Sequence, residues 1–283
     1  MSLTVAIIAQ GAMGAGIARR LTQNGVAVVT SLAGRSQASA NRAAAAGMQP
    51  TDAQGVAGAD IILSVLPPSE AMALAESLAP YLAKAARKPL YADCNAISPE
   101  LARRIGEVIA ATGCGFVDGG IIGGPPRPDG YTPKLYAAGP DAARLALLER
   151  HGLQVPVLDG PLGAASALKM SYAGITKGFT AMATAMILGA TRAGAASALH
   201  AELMDSQPVL LPWLDRYLRM MPDKAYRFVG EMEEIAEFLG KERGESRIYE
   251  GAAALYTRIA ADHAGAGKEV AELLAFLAQA REK

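Results

Sequence analysis

The hydrophobic pattern changes character halfway along the chain. In the first half, short continuous apolar runs alternate with stretches of helical period, whereas the second half keeps helical periodicity almost throughout. Thr4 to Ala9 is an unbroken apolar run of the kind buried on both faces of a parallel sheet, and Met13 to Asn24 reads as a helix stopped by Gly25. A second strand follows at Val26 to Thr30, then an Ala-rich helix around Gln37 to Ala46, then a strand at Ile61 to Leu66 ended by Pro67 and Pro68. A helix near Glu70 to Ala86, a strand at Pro89 to Asp93, a helix from Pro99 to Ala111 and a strand at Gly115 to Asp118 continue the alternation. Repeated βα units of this length join by right-handed crossovers into a mainly parallel sheet covered by helices on both sides. The pattern therefore predicts a doubly wound, Rossmann-type α/β domain over residues 1–160.

After Asp159-Gly160-Pro161 the alternation stops. The 38 residues from Gly163 to His200 contain no proline and predict one long, closely packed helix, ~55 Å long at ~1.5 Å per residue. Further helices are expected near Pro208 to Met220, Ala225 to Leu239, Tyr249 to His263 and Lys268 to Glu282. Residues 161–283 thus read as an all-α domain begun by a long interdomain helix.

Composition removes several function classes. The 27 basic and 27 acidic residues cancel, and they are evenly spread, with 13 basic and 12 acidic up to Gly160 and 14 and 15 beyond it. No basic face for nucleic acid is implied. The longest strongly apolar stretch, Gly178 to Thr191, has 14 residues, short of the ~18 to 20 that a membrane span requires. Met1 to Ala18 carries no basic leader ahead of its apolar run, which argues against a signal peptide. Cys94 and Cys114 make no disulfide framework, and His151, His200 and His263 lie far apart without ligand spacing. A cytoplasmic protein without a structural metal is expected.

The first βα turn, Ala9-Gln10-Gly11-Ala12-Met13-Gly14, fits the dinucleotide fingerprint except that Ala9 stands at the first glycine. Glycines at Gly11 and Gly14 let the backbone approach a pyrophosphate, which the following helix N-terminus receives with unpaired N–H groups. An NAD site normally places an acidic residue at the end of the second strand, yet nothing acidic occurs between Met1 and Thr51. Arg35 and Ser36 stand there instead, with Arg42 one to two turns further on, and both residue types suit a phosphate dianion. The expected cofactor is NADP rather than NAD.

Four stretches together resemble the β-hydroxyacid dehydrogenase superfamily, the group of 6-phosphogluconate dehydrogenase and 3-hydroxyisobutyrate dehydrogenase. They are the N-terminal turn with Met13 before Gly14, Ser64-Val65-Leu66-Pro67-Pro68, Asp118-Gly119-Gly120-Ile121-Ile122-Gly123-Gly124, and Lys169 within Ala167-Leu168-Lys169-Met170. The resemblance covers nearly the whole chain and implies an essential lysine on the long helix, at Lys169, with the loop at Ile122, Gly123 and Gly124 beside the substrate carboxylate. It also implies that Asn95 contacts the nicotinamide side of the cofactor, with Leu66 and Pro67 under the same ring. The chain departs from the pattern where Ile122 replaces the usual serine, Ala173 the usual asparagine, and Thr176 the glutamate that serves decarboxylation in 6-phosphogluconate dehydrogenases. The phosphogluconate reaction is therefore not expected, and the second half resembles a less characterised phosphogluconate dehydrogenase-like branch.

Hydride transfer at a carbinol carbon needs a group that takes or supplies the hydroxyl proton, and Lys169 fills that role if burial lowers its pKa. Thr176, seven residues on, is placed to hydrogen-bond substrate or Lys169. Lys177 reads either as a ligand for an anionic substrate or as a snorkelled surface lysine, and Arg127 either as a carboxylate ligand or as a solvated loop charge. The acidic stretch Glu231, Glu233, Glu234 reads as a solvated face. The expected activity is NADP-dependent oxidoreduction of a small, anionic hydroxy acid or related carbonyl compound bound between two domains, in a homodimer packed through the small-residue helices. The alternatives are imine reduction and a regulatory protein that binds NADP without turnover.

Overall fold

The computed structural model describes residues 3–240 and 242–279. The chain divides into two compact units, Met1–Lys169 and Met170–Lys283. The first unit opens with β1 (Thr4–Ile8), α1 (Ala12–Gln23), β2 (Ala27–Ser31), α2 (Gln37–Ala45), β3 (Gln49–Thr51) and α3 (Ala53–Ala57). It continues with β4 (Ile61–Ser64), α4 (Ala71–Lys84), β5 (Leu90–Asp93), α5 (Pro99–Ala110), β6 (Gly115–Ile122), β7 (Lys134–Ala138) and α6 (Ala142–Leu145). The seven strands form one sheet in the order β3-β2-β1-β4-β5-β6-β7, parallel throughout except for β7, which runs antiparallel to β6.

The continuous apolar runs have the expected cause. Val5, Ile7, Leu63, Ala92 and Val117 pack into one core, whereas Ala6, Ile8, Ile62, Tyr91 and Phe116 pack into a second core. Alternate residues of each strand thus enter opposite cores, so no polar face survives in these strands. Four elements of this unit, β3, α3, β7 and α6, were not expected from the pattern. The strand β3 and the helix α3 are only three and five residues long, and Pro50 fits a strand only because β3 is at the sheet edge. Strand β6 runs past Asp118 to Ile122 because its second half pairs with β7, a ladder that Gly119 and Gly120 obscure in the sequence.

The expected long helix is shorter and interrupted. It comprises α7 (Ala164–Ala173), a π turn (Gly174–Gly178) and α8 (Phe179–Arg192). It stops before His200 because Gly194 takes a left-handed φ of 73°. There the Gly194 N–H reaches Thr191 O at 3.1 Å and the Ala195 N–H reaches Ala190 O at 2.8 Å, a Schellman closure. The helices α9 (Ala196–Ser206), α10 (Leu210–Met220), α11 (Ala225–Leu239), α12 (Ser246–Ala264) and α13 (Lys268–Ala278) complete the second unit, and the expected end of the last one, Glu282, lies outside the described residues. The π turn has a packing partner: Gly174 and Gly178 lie against the Tyr249 ring, where added Cβ atoms would sit 3.0 Å from its nearest atoms. Tyr256 from the same helix donates to Lys177 O at 2.6 Å, satisfying a carbonyl in the widened turn.

Ala9 is the one non-glycine among the described residues with positive φ, 109°. It occupies the place where the dinucleotide fingerprint has its first glycine, so the turn keeps the glycine conformation without the glycine. A Cβ there is strained by roughly 1 to 2 kcal/mol. Replacing Ala9 by Gly should therefore stabilise the fold by about 1 kcal/mol net of the extra unfolded-state freedom, read as a rise in melting temperature of roughly 2 to 4 °C. An unchanged or lower melting temperature would contradict the strain.

Candidate active site

At the carboxyl ends of the central strands the core facing α5 changes from apolar to polar. Ser64, Asp93 and Asp118 stand in register across β4, β5 and β6, one pleat beyond Ile62, Tyr91 and Phe116. All three polar side chains are buried, with 0%, 1% and 1% exposure. Buried carboxylates must be satisfied or neutralised, and these two solve the problem differently.

Asp118 caps the helix that carries Lys169. Its Oδ2 accepts from the N–H groups of Ala165 and Ser166 at 2.8 and 3.1 Å, and its Oδ1 accepts from Ser166 Oγ at 2.5 Å. These are the orphan donors of the first turn of α7, so a side chain 47 residues away serves as the cap. Gly120 completes the fit: a Cβ there would lie 2.6 Å from Ala165 O and 3.5 Å from Lys169 Cβ. Gly120 thus lets the α7 backbone lie against β6, whereas a Cβ on Gly119 would meet Asp93 O instead.

Asp93 holds Asn95. One oxygen accepts the Asn95 N–H at 3.0 Å and the other the Asn95 side-chain amide at 2.9 Å. Asn95 also donates to Ser64 Oγ at 2.8 Å and accepts from the Leu66 N–H, so its amide ties the ends of β4 and β5 together. With 2% exposure, Asn95 presents the Leu66–Pro67 turn rather than a free amide. Burial pushes the Asp93 carboxyl up to about 7, against the lowering effect of its Asn95 hydrogen bonds and of Lys169.

Lys169 is partly buried and its Nζ lies 3.4 Å from Cys94 O. Burial lowers its pKa to about 8, and the acidic groups Cys94, Asp93 and Asp118 act in the opposite direction. Lys169 therefore stands beside the strand ends with Asn95 and the Leu66–Pro67 turn, as an ammonium that can lose its proton near neutral pH. Cys94 and Cys114 are free and buried, and burial pushes the Cys94 thiol up, away from nucleophilic use.

At the first βα turn, Gly11 has open space where a Cβ would project, whereas a Cβ on Gly14 would collide with Ala9 O. Gly11 precedes α1 in an extended conformation, so the first-turn N–H groups of Ala12, Met13 and Gly14 are those of a helix start. Gln10 is buried and its amide donates to Thr30 Oγ1 at 2.5 Å and Ser31 O at 2.9 Å, linking this turn to the end of β2. Arg42 donates from Nε to Gln10 O at 2.7 Å and from its terminal nitrogen to Ser39 Oγ at 3.0 Å. Ser36 caps α2 through the Ser39 N–H at 3.3 Å, and Arg35 pairs with Glu70 at 3.5 Å. Two guanidinium groups and a helix start thus gather beyond β2, a donor set that suits a phosphate dianion. Arg42 was expected only as added charge, and its bond to the fingerprint turn makes it the more firmly placed of the two.

The loop expected beside the substrate is less open than its sequence suggests. Ile122 ends β6 opposite Lys134 and, with Tyr131 and Pro133, lines a cavity of about 360 Å³. Gly123 takes a φ of 127°, and the Gly124 N–H donates to Tyr131 Oη at 3.2 Å. Arg127 pairs with Asp129 at 3.3 Å and lies over the Tyr131 ring at 4.6 Å, so its charge has a local partner. In the second unit, Thr176 donates back to Tyr172 O at 2.8 Å. Lys177 pairs with Glu231 and lies 4.6 Å over the Phe228 ring. Glu231, expected on a solvated face, is thus one arm of a partly buried ion pair.

The residues missed by sequence reasoning are Asp93, Asp118, Tyr131 and Glu231. A signal existed for the first two, because each is an acid directly following an apolar run, in LYAD and in GFVD. Among the described residues no group of three or more His, Cys, Asp or Glu could hold a metal ion, and no helix is long and apolar enough to cross a membrane.

Comparison with known proteins places these features in a family. Residues 4–144 match the model of the NAD-binding domain of 6-phosphogluconate dehydrogenase, and residues 190–259 match a domain of unknown function, DUF1932. An uncharacterized 28.5 kDa protein of Methanothermus fervidus is 32% identical over 127 residues, covering 45% of this chain and 46% of its own length. A 3-hydroxyisobutyrate dehydrogenase of Pseudomonas aeruginosa is 39% identical over 70 residues, covering 24% of this chain and 23% of its own. The matched stretches thus span less than half the length of these curated relatives. A solved conserved protein of unknown function, described as structurally similar to 3-hydroxyacid dehydrogenases, superposes with a TM-score of 0.70 at 28% identity, covering 91% of this chain and 99% of its own. With its seven-stranded sheet, its glycine turn and its helical second unit, the chain belongs to the β-hydroxyacid dehydrogenase superfamily, a family of NAD(P)-binding oxidoreductases.

Proposed function

We propose that this chain is an NADP-dependent oxidoreductase acting on a small hydroxy acid or related carbonyl compound, with Lys169 as general acid/base. The observation that carries this reading is the Lys169 ammonium, which lies 3.4 Å from Cys94 O and is drawn down to about 8 by burial. Gly11, Ala12, Met13 and Gly14 would hold the pyrophosphate at the start of α1, with the Leu66–Pro67 turn, braced by Asn95, on the nicotinamide side. When bound, the nicotinamide accepts or gives the hydride. In oxidation neutral Lys169 takes the hydroxyl proton, and in reduction its ammonium returns one to the carbonyl oxygen. Ile122 offers no hydroxyl and the Gly124 N–H is taken by Tyr131 Oη, which favours a small substrate over a heavily hydroxylated one. A screen of 3-hydroxy acids, polyol acids and cyclic imines, followed by nicotinamide absorbance, tests the class. Turnover of imines alone would favour imine reduction, and tight NADPH binding without any turnover would favour a sensor.

The preference for NADP rests on Arg35, Ser36 and Arg42 and on the lack of an acid before Asp52. NADPH should bind at least tenfold more tightly than NADH by fluorescence titration. Replacing Arg35 by Ala should remove about ten- to a hundredfold of that gap, the worth of one charge-assisted contact. Equal affinities in the unaltered chain would contradict the assignment.

A homodimer is supported by an exposed apolar seam along the long helix. Tyr172, Ile175, Phe179, Met182 and Met186 are all exposed and recur every three or four residues, the spacing of a helix–helix contact. Sedimentation should report a dimer, and Ile175→Glu with Met182→Glu should yield monomers. A monomeric unaltered chain would contradict the proposal.

A further inference from the structure

Between Asp93 and Lys169 lies a single peptide unit. The Asp93 carboxylate accepts the Asn95 N–H at 3.0 Å, and the carbonyl of that same peptide, Cys94 O, receives Lys169 Nζ at 3.4 Å. A carboxylate on the N–H end of an amide pushes electron density toward its oxygen, which strengthens the bond that the oxygen accepts, and hydrogen bonds in series polarise one another in this way inside a protein. The effect runs in both directions, because an ammonium on the oxygen makes the N–H a better donor to the carboxylate. We propose that Asp93 is a positioning residue for Lys169: through the Cys94–Asn95 peptide it holds the ammonium at the carboxyl end of the sheet and couples the protonation of the two side chains. The inference rests on Lys169 as the acid/base group and assigns a function to a buried carboxylate that hydride transfer itself does not require.

The surroundings isolate the pair. Tyr91 on β5 and Cys94 just after it are the neighbouring titratable groups, and burial pushes both up, so they stay neutral through the working range. Asp118 on β6 faces both groups but has three donors of α7 to satisfy. From β4 comes only Ser64, which does not titrate in this range and bonds to Asn95. Asp93 is thus the carboxylate in this row that is joined to Lys169 by hydrogen bonds through one peptide.

The coupling can be read without a substrate. Reductive methylation with ¹³C-formaldehyde labels Lys169, whose resonance is identified by its loss in Lys169→Arg, and an NMR titration gives its midpoint. In Asp93→Asn this midpoint should fall by about one pH unit, because a favourable neighbouring charge is removed. The reciprocal experiment does not depend on that variant folding: with ¹³C-labelled aspartate carboxyls, the midpoint of Asp93 should rise by a similar amount in Lys169→Met, since coupling between two sites is symmetric. Midpoints that stay fixed in either experiment overturn the proposal and leave the catalytic reading of Lys169 standing. Coupled midpoints together with normal turnover in Lys169→Ala would instead keep the pair and overturn the catalytic reading.

Discussion

Replacing Lys169 by Ala should lower hydride transfer by about a hundred- to ten-thousandfold while NADPH binding stays within a few-fold of the unaltered chain. The size follows from the contribution of a well-placed general acid/base group. The selectivity follows from position: Lys169 lies beside the ends of β5 and β6, whereas the fingerprint turn and the guanidinium groups sit at the ends of β1 and β2. Fluorescence titration and stopped-flow absorbance on the same preparation separate the two effects. Turnover that survives the substitution would remove Lys169 from the chemistry, and binding lost together with turnover would indicate damage to the fold.

The second large effect belongs to Asp118. Its carboxylate satisfies three buried donors at the start of α7, and Asp118→Ala would leave them without partners in a place closed to water. Loss of a helix cap together with unsatisfied buried donors costs about 3 kcal/mol, which lowers the melting temperature of a chain this size by roughly 6 to 12 °C. The loosened turn immediately precedes Lys169, so turnover should fall even at temperatures where the variant is fully folded. A melting temperature within about 2 °C of the unaltered chain would mean that α7 does not need this cap.

The contrast between these two residues shows what the sequence made legible. Lys169 was a candidate because a lysine inside an apolar helical run is conspicuous by itself, and Gly11, Gly14 and Arg35 were candidates because their proposed roles depend on spacing within one βα unit. The fold class was legible for the same reason: strands buried on both faces appear as unbroken apolar runs. Asp118 was quoted only as part of a motif, since its role depends on a helix 47 residues away. Asp93 likewise acquires meaning from the register that sets Ser64, Asp93 and Asp118 side by side, and no local pattern encodes register between distant strands. Lys177 shows the converse: its sequence offered a choice between substrate and solvent, and the structure gives it Glu231, 54 residues on. The π turn was missed because a single widened turn leaves the helical hydrophobic pattern almost unchanged.

The strained Ala9 is informative in the same way. The fingerprint appeared incomplete without its first glycine, but the backbone adopts the left-handed conformation regardless and keeps Gly14 close beneath Ala9 O. The turn geometry is therefore fixed by its surroundings, Gln10 on β2 and Arg42 on Gln10 O included, rather than by residue preference at that position.

The central claim is that Lys169 exchanges the substrate proton near neutral pH, and the pH dependence of kcat/KM tests it most directly. Oxidation requires the neutral amine, so its rate should rise with pH and level off above a midpoint near 8, while reduction requires the ammonium and should fall through the same midpoint. A profile flat between pH 6 and 10 in both directions, or one whose limb persists unchanged in Lys169→Ala, would contradict the account.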